Sequence, residues 1–581
     1  MKPLRFLFLV IYMALPAGMI QARTLYVSPA GTNDYTNYYP DWAGAATTIS
    51  AAVSRAAAND VVMATNETYM LTASIVITNS ILVRSWNNGN LDPENTILNG
   101  NGMCAPLYVN KLYSAAPAGS MPMVAGFTIT NGNGLGGNFA NSGGGVELGY
   151  DVNFGGILSN CIVAGNSADT RGGGIYMAGL YALVTDCRVI NNTVTNPSVS
   201  AYGGGIYNYI GTISNCGMIA WNNVRSISGS GGGAYFATGG KMIGCLVTNN
   251  TATNNGGGLF LYTISPSYGA TLRSNTVSGN RCAAGAGGGI YIYFSTSNCL
   301  VSDCTVNGNS SVSGGGIGVY VANDGQGAQI RDCMVAYNNA NEGGGIYASY
   351  NGNDRYYYVQ VSNCTVVGNT GRDGGGMHFY AAGFAESCTI VSNIAATGGG
   401  IYFRGAMTTV PFARNCLIAG NRATNNGGGV ASAAINLINC TLASNLATNN
   451  GGGIYNSGYG AASYLTNTIS YFNSAASGSN WFINASGGGG TIYCVNTCIA
   501  PASGTGLNAS NSMDSPPLFV DRDAFDFHHG RNSPTLNRGV NQAWMENTFD
   551  LDGSRRLDRF SGIVDMGCYE YLPSGFMFKI F

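Results

Sequence analysis

The sequence predicts an all-β fold, a right-handed parallel β-helix with an N-terminal capping helix and a small C-terminal domain. Three observations predict it. The triplet Gly-Gly-Gly begins at positions 143, 172, 203, 231, 256, 287, 314, 343, 374, 398, 427 and 451, eleven intervals of 24 to 31 residues. Each triplet runs into an apolar alternation, as at Ile175, Ile206, Leu259, Ile290, Ile346, Ile401 and Ile454, the mark of a strand with one buried face. Ahead of each triplet lies a second strand of the form Asn-Cys-x-Val-x-x-Asn, its Cys at 161, 187, 216, 245, 304, 333, 364, 388, 416 and 440, with Asn275 filling the one gap in register. A unit of this length with short strands, turn residues at fixed phase and no helical periodicity is one coil of a solenoid. Right-handedness follows from the general crossover rule.

Composition narrows the class. Only 9% of the residues are charged, where about 25% is ordinary. A charged disordered tail is excluded by 45% hydrophobic residues and a formal charge of -2. Collagen is excluded because the 87 Gly have no period of three and Pro numbers only 16. With 25 basic and 27 acidic residues no field exists to gather phosphates, so nucleic acid is not expected as a partner.

The elements follow in order. Residues 1–22 carry Lys2 and Arg5, an apolar run from Phe6 to Leu15 and small residues ending at Ala22, which reads as a secretory signal peptide and predicts an exported protein at the cell envelope or outside it. No further segment could cross a membrane as a helix, so no transmembrane span is expected in the mature chain. Residues 23–125 are read as the N-terminal cap and first rungs; within Thr47 to Asn59, Ile49, Ala52, Val53 and Ala56 fall at helical spacing, and such a helix can lie across the first rung. Residues 126–510 are the repeats. Period two points each Cys and the apolar residue two places on toward the interior. The Asn recurring five places beyond the Cys suits a corner ladder, hydrogen-bonding its counterparts above and below, and one copy departs, with Trp221 in place and Asn222 next. The glycines supply positive φ and close approach between rungs. From about Ser515 the triplets stop while charge and Pro rise, setting off a C-terminal domain at 511–571 and a tail at 572–581.

These motifs carry two resemblances. The Gly-Gly-Gly-apolar unit alternating with Val-x-x-Asn resembles the GGA(I/L/V) and FxxN repeats of polymorphic outer membrane proteins, with Gly for the third-position Ala and Val or Ile for Phe. Pro517 to Tyr571 resembles the choice-of-anchor Q domain, with LFVD, DFHHGRNSP, DLDG and VDMGCYEY in the expected order and Cys568 in place of the usual small residue. The resemblances imply an exported β-helix protein of the envelope or the medium, with an adhesin-like role.

The Cys column reads as buried small hydrophobes, since rung-to-rung spacing is not that of a metal site and parallel Cβ vectors oppose a disulfide torsion. Cys494 and Cys498 either form a local pair or stay free. One place past the inward apolar residue stands an aromatic, at Tyr176, Tyr207, Tyr235, Phe260, Tyr291, Tyr347, Tyr402 and Tyr455. Alternation puts these outside, as a stripe on which a polysaccharide or a surface partner could pack, or as a self-stacked ladder covered by loops. His378 shares that outward phase and is expected at the surface. The alternative function is a β-helix polysaccharide lyase or glycoside hydrolase with a diverged site. Its catalytic candidates are Asp303 and Asp332, one rung apart, although Asn160, Asn215, Asn363, Asn415 and Asn439 hold the same phase and make these members of an Asn/Asp column. Asp550 and Asp552 of DLDG are candidates for a calcium contact. No cofactor is expected.

Overall fold

The computed structural model describes residues 22–113, 121–135, 141–263, 268–294, 299–322, 327–350, 359–380, 383–404, 410–458, 462–485, 489–557 and 561–572. The leader at 1–22 lies, but for Ala22, outside the described residues, as does the tail from residue 573. The fold is a right-handed parallel β-helix. Its coils form three long sheets of 19, 16 and 15 strands among the described residues.

One coil shows how the repeat builds the stack. Strand Ile175–Met177, just after a glycine triplet, belongs to what we call the glycine sheet; Tyr181–Thr185 follows in the linking sheet and Arg188–Ile190 in the cysteine sheet. Each pairs in parallel with the next coil, Ile175 opposite Ile206, Val184 opposite Ile213 and Val189 opposite Ile219. Cys187, Val189, Ile175, Met177 and Val184 are fully buried in one continuous core. The coil with Trp221 absorbs an extra residue at Gly217, so Met218 turns outward, Ile219 takes the inward place and Asn222 recovers the ladder.

The Asn ladder is internal. The Asn192 backbone N–H and Nδ2 both donate to Asn222 Oδ1 at 3.0 Å, while Nδ2 also donates to the Val163 carbonyl at 2.9 Å. The pattern repeats through Asn250, Asn280, Asn309, Asn338, Asn369, Asn393, Asn421 and Asn445. Every rung thus satisfies buried turn amides that no sheet reaches. The cysteines behave as expected for small core residues. All sixteen are buried and unpaired, and Cys187 Sγ donates to the Thr185 carbonyl at 3.1 Å. Cys494 and Cys498 are free because they face different layers, Cys494 the central core and Cys498 a cluster under the C-terminal segment.

The cap is a helix at Ile49–Arg55. Thr48 accepts from the Ala51 N–H at 3.2 Å, and Ile49, Ala52 and Val53 are buried against strands Thr24–Val27, Val61–Thr65 and Ile75–Ile77. At the other end the chain from about residue 515 folds back along the outer face of the cysteine sheet. Phe527, Leu551, Cys568 and Tyr569 pack on Leu417, Ala419 and Ala443, and Met566 packs on Ile469 and Cys498.

Candidate functional site

The corner that leads into the cysteine sheet, immediately before the inward Cys or, in the last coils, Thr468 and Thr497, is a left-handed turn. Asn160, Asp186, Asn215, Asp303, Asp332, Asn363, Asn415, Asn439, Asn467 and Asn496 all have φ between 47° and 55°. Asn and Asp are the side chains that tolerate this conformation. Asp303 pairs with Arg273 at 3.3 Å, and Asp332 accepts from Asn363 Nδ2 at 3.3 Å with Arg331 3.9 Å away. The two catalytic candidates therefore occupy a conformational column with solvated ion pairs.

Asp550 and Asp552 have other work. Asp550 Oδ1 accepts from the N–H groups of Asp552 and Ser554 at 3.0 and 2.7 Å, and Oδ2 accepts from that of Glu570 at 2.8 Å, so its lone pairs close a turn. Asp552 Oδ2 meets His528 Nε2 at 2.5 Å, while Asp526 Oδ1 meets Nδ1 at 2.5 Å. Burial opposes a charge on His528, but the flanking Asp526 and Asp552 carboxylates prevail and raise its pKa. Among the described residues no group of three or more His, Cys, Asp or Glu side chains is placed to hold a metal ion.

Of the two alternatives for the aromatic column, the open stripe and the covered, self-stacked ladder, its first part is the ladder. Tyr176, Tyr207, Tyr235, Phe260 and Tyr291 stand on the outer face of the glycine sheet, yet they are only 4 to 8% exposed. They stack on one another with centroids 4.8 to 5.5 Å apart. Gly318 breaks the column, which resumes with Tyr347, His378 and Tyr402 and, after Ala431, with Tyr455 and Phe482. Tyr347, Tyr402 and Tyr455 are half-buried. His378 is fully buried, not at the surface. Its ring lies between Tyr347 and Tyr402, neither nitrogen has a hydrogen-bond partner among the described residues, and burial, with Arg404 and Arg372 nearby, lowers its pKa to about 3. A neutral imidazole here serves as one more ring in the stack.

Arg171 lies over Tyr207, Tyr202 lies against Tyr235, and from Phe260 on the cover is a second column, two residues further along the strands. Tyr262, Tyr293 and Tyr320 stack at 5.1 and 5.4 Å, half-buried, over the first. Tyr380 continues this phase at 45% exposure with the Arg404 guanidinium 5.3 Å from its ring centroid. Beside it Glu342 lies between Arg372 and Arg404 at 3.9 and 3.8 Å, and Arg372 pairs with Asp373 at 3.0 Å. Alternation at the first outward position alone does not reveal this second column, whose signal is the aromatic-x-Tyr spacing of YIY at 291–293 and of FLY at 260–262.

The comparison with protein families agrees with this fold. Residues 218–393 match the family described as "Right handed beta helix region", a stretch that ends before the C-terminal segment. No curated protein matches. Among solved structures the chain is similar to one described as "Crystal structure of pectate lyase Pel9A", at 12% identity over 95% of this chain and 97% of that one, with a TM-score of 0.25. A likeness this faint bears on neither reaction nor substrate. No helix among the described residues is long and apolar enough to cross a membrane.

Proposed function

We propose that this protein is an exported, non-catalytic β-helix that binds an extended carbohydrate or a surface partner along the outer face of its glycine sheet. One observation carries the reading, the half-exposed column of Tyr262, Tyr293 and Tyr320 with Tyr380 in the same phase. Rings inside a stack spend both faces on their neighbours, so the buried first column has none to offer. The second column turns ring edges and hydroxyls outward, an apolar body with a polar tip, and Ser349 follows Tyr320 in register, leaving one ring face without an aromatic neighbour. A ligand lying along the solenoid axis meets the same chemistry at the three successive rungs of Tyr262, Tyr293 and Tyr320.

On the same reading the leader at 1–22 directs export, and the segment at 511–571, which resembles the choice-of-anchor Q domain, holds the protein at the envelope. The enzymatic alternative gains nothing from Asp303 and Asp332, which keep corner conformations, or from Glu342, Arg372, Asp373 and Arg404, which neutralise one another.

The test is a glycan and host-matrix binding screen of the wild-type protein and a Tyr262→Ala/Tyr293→Ala/Tyr320→Ala variant, with circular dichroism to confirm folding. Binding by the wild type that the folded variant loses supports the proposal. Equal binding by the two, or none by either, rejects it.

A further inference from the structure

The C-terminal segment does not seal completely against the solenoid. Between them lies a cleft of about 720 Å³, within the roughly 300–1,000 Å³ of small-ligand sites. Its solenoid wall is built from Gln360, Ser362, Asn363, Glu386 and Asn415, and its other wall from Trp544, Thr548 and Phe549.

Asn415 is the telling residue. It is 1% exposed, and its Nδ2 donates to Ser387 Oγ and to the Phe549 carbonyl, both at 3.0 Å. A carbonyl only accepts, so the orientation of the amide is fixed. Oδ1 is left buried in the cleft wall with no hydrogen-bond partner among the described residues. An unmet acceptor of this kind costs about 1–3 kcal/mol, which a donor brought to it by a ligand would remove.

The remaining walls define the class of that donor. The charges are spent: Glu386 Oε1 accepts from Arg414 Nε at 3.0 Å, and the Asp550 oxygens close their own turn. Arg414 lies over Trp544, its guanidinium carbon 4.5 Å from the ring centroid, and the indole Nε1 donates to Gln542 Oε1 at 2.6 Å, which together fix the ring. Amides, hydroxyls and one rigid aromatic with no unpaired charge match a neutral polyhydroxylated ligand.

We propose that this cleft is a second binding site, for a neutral saccharide unit, in which a sugar hydroxyl donates to Asn415 Oδ1 and the ring packs against Trp544. It is separate from the tyrosine column and stands without it.

Isothermal titration of the full chain with maltose, cellobiose and chitobiose, and with digalacturonate as the anionic probe, tests this. At least one neutral disaccharide is expected to bind. Trp544→Ala and Gln360→Leu should each weaken it about tenfold, whereas Tyr293→Ala should leave it unchanged. Should Trp544→Ala fail to fold, Gln360→Leu decides. No binding by any neutral disaccharide overturns the cleft proposal and leaves water as the partner of Asn415. Digalacturonate binding as well as the neutral probes also overturns it. Loss with Tyr293→Ala but not with the cleft variants rejects the cleft while supporting the column.

Discussion

The side-chain amide of Asn338 fills the space that a Cβ on Gly316 would occupy, with Nδ2 2.8 Å from that point. The relation recurs for Gly289 with Asn309, Gly345 with Asn369 and Gly400 with Asn421, at 2.9 to 3.0 Å. The two most conspicuous repeats in the sequence thus meet in one contact: the third glycine of each triplet is bare because the Asn of the next rung, together with the carbonyl of that rung's own third glycine, lies beneath it. The first glycine has a separate reason, since Gly314 has φ +62.

Gly316→Ala should therefore cost about 1–3 kcal/mol through overpacking. Asn338→Ala should cost a similar ~1–3 kcal/mol, because the Asn309 N–H and the Val306 carbonyl both lose their partner. The double variant should cost somewhat less than the sum, since removing the amide relieves one of two close contacts while the Gly345 carbonyl, 2.7 Å from the same point, remains. Denaturant unfolding combined with hydrogen exchange at neighbouring rungs measures this, as a stack of repeats need not open in one step. Strict additivity would contradict the contact.

Asp303→Asn and Asp332→Asn should each change stability by less than about 0.5 kcal/mol, because Asn serves the same left-handed corner in other rungs. In a release assay on acidic and neutral polysaccharides the two variants should match the wild type. A selective loss of release in either would make these carboxylates catalytic.

All sixteen thiols are buried, and burial raises those of Cys282 and Cys299 to about 11 and those of Cys494, Cys498 and Cys568 to about 12. Iodoacetamide at pH 8 should leave the native protein unmodified, and should label sixteen sites after denaturation without reductant. Mass spectrometry of the two samples reads the difference, and a missing pair of labels would reveal a disulfide.

The two adjacent histidines of the C-terminal segment should respond to pH in opposite senses. His529 is buried, with Nε2 on the Tyr569 carbonyl and Nδ1 on Thr535 Oγ1, and burial lowers its pKa to about 4. The unfolded chain takes up this proton near the ordinary ~6.5, so the stability it lends is full above that value and drains as pH falls toward 4. His528, with its raised pKa, lends stability that is full below ~6.5 and is lost as pH climbs through the folded value. His528→Gln should consequently destabilise the protein at pH 6 and have little effect at pH 9, as followed by denaturant unfolding at both values. An equal effect at the two would exclude an ion pair.

The sequence revealed what repeats and little of what closes. Coil length, the inward Cys and Val, the Asn ladder and the helix at Ile49–Arg55 all depend on contacts between equivalent positions, and periodicity writes those directly. Exposure of the aromatics does not. Whether Tyr235 sees solvent depends on Tyr202 and Tyr262, whose rings stand 4.6 and 6.4 Å away, and alternation records the face of a strand and nothing of what covers it. The docking of the C-terminal segment was equally hidden, since its partners lie far apart in the chain: the Cys568 N–H donates to Thr441 Oγ1, and the Gly567 N–H to the Asn467 carbonyl.

The corner column acquires a different role near the end of the stack. Asn415, Asn439, Asn467 and Asn496 donate through Nδ2 to the carbonyls of Phe549, Asp565, Val540 and Arg538, and Val540 N–H returns a bond to Asn467 Oδ1. Four successive coils are thereby laced to one strap of chain. A solenoid pulled from its end peels one coil at a time, each step resisted by a single layer of hydrogen bonds. Tension applied through residues 538–565 instead loads four layers in parallel, as shear. The segment that terminates the stack is also its strain relief, and a tether at this end would put force where the molecule resists it best.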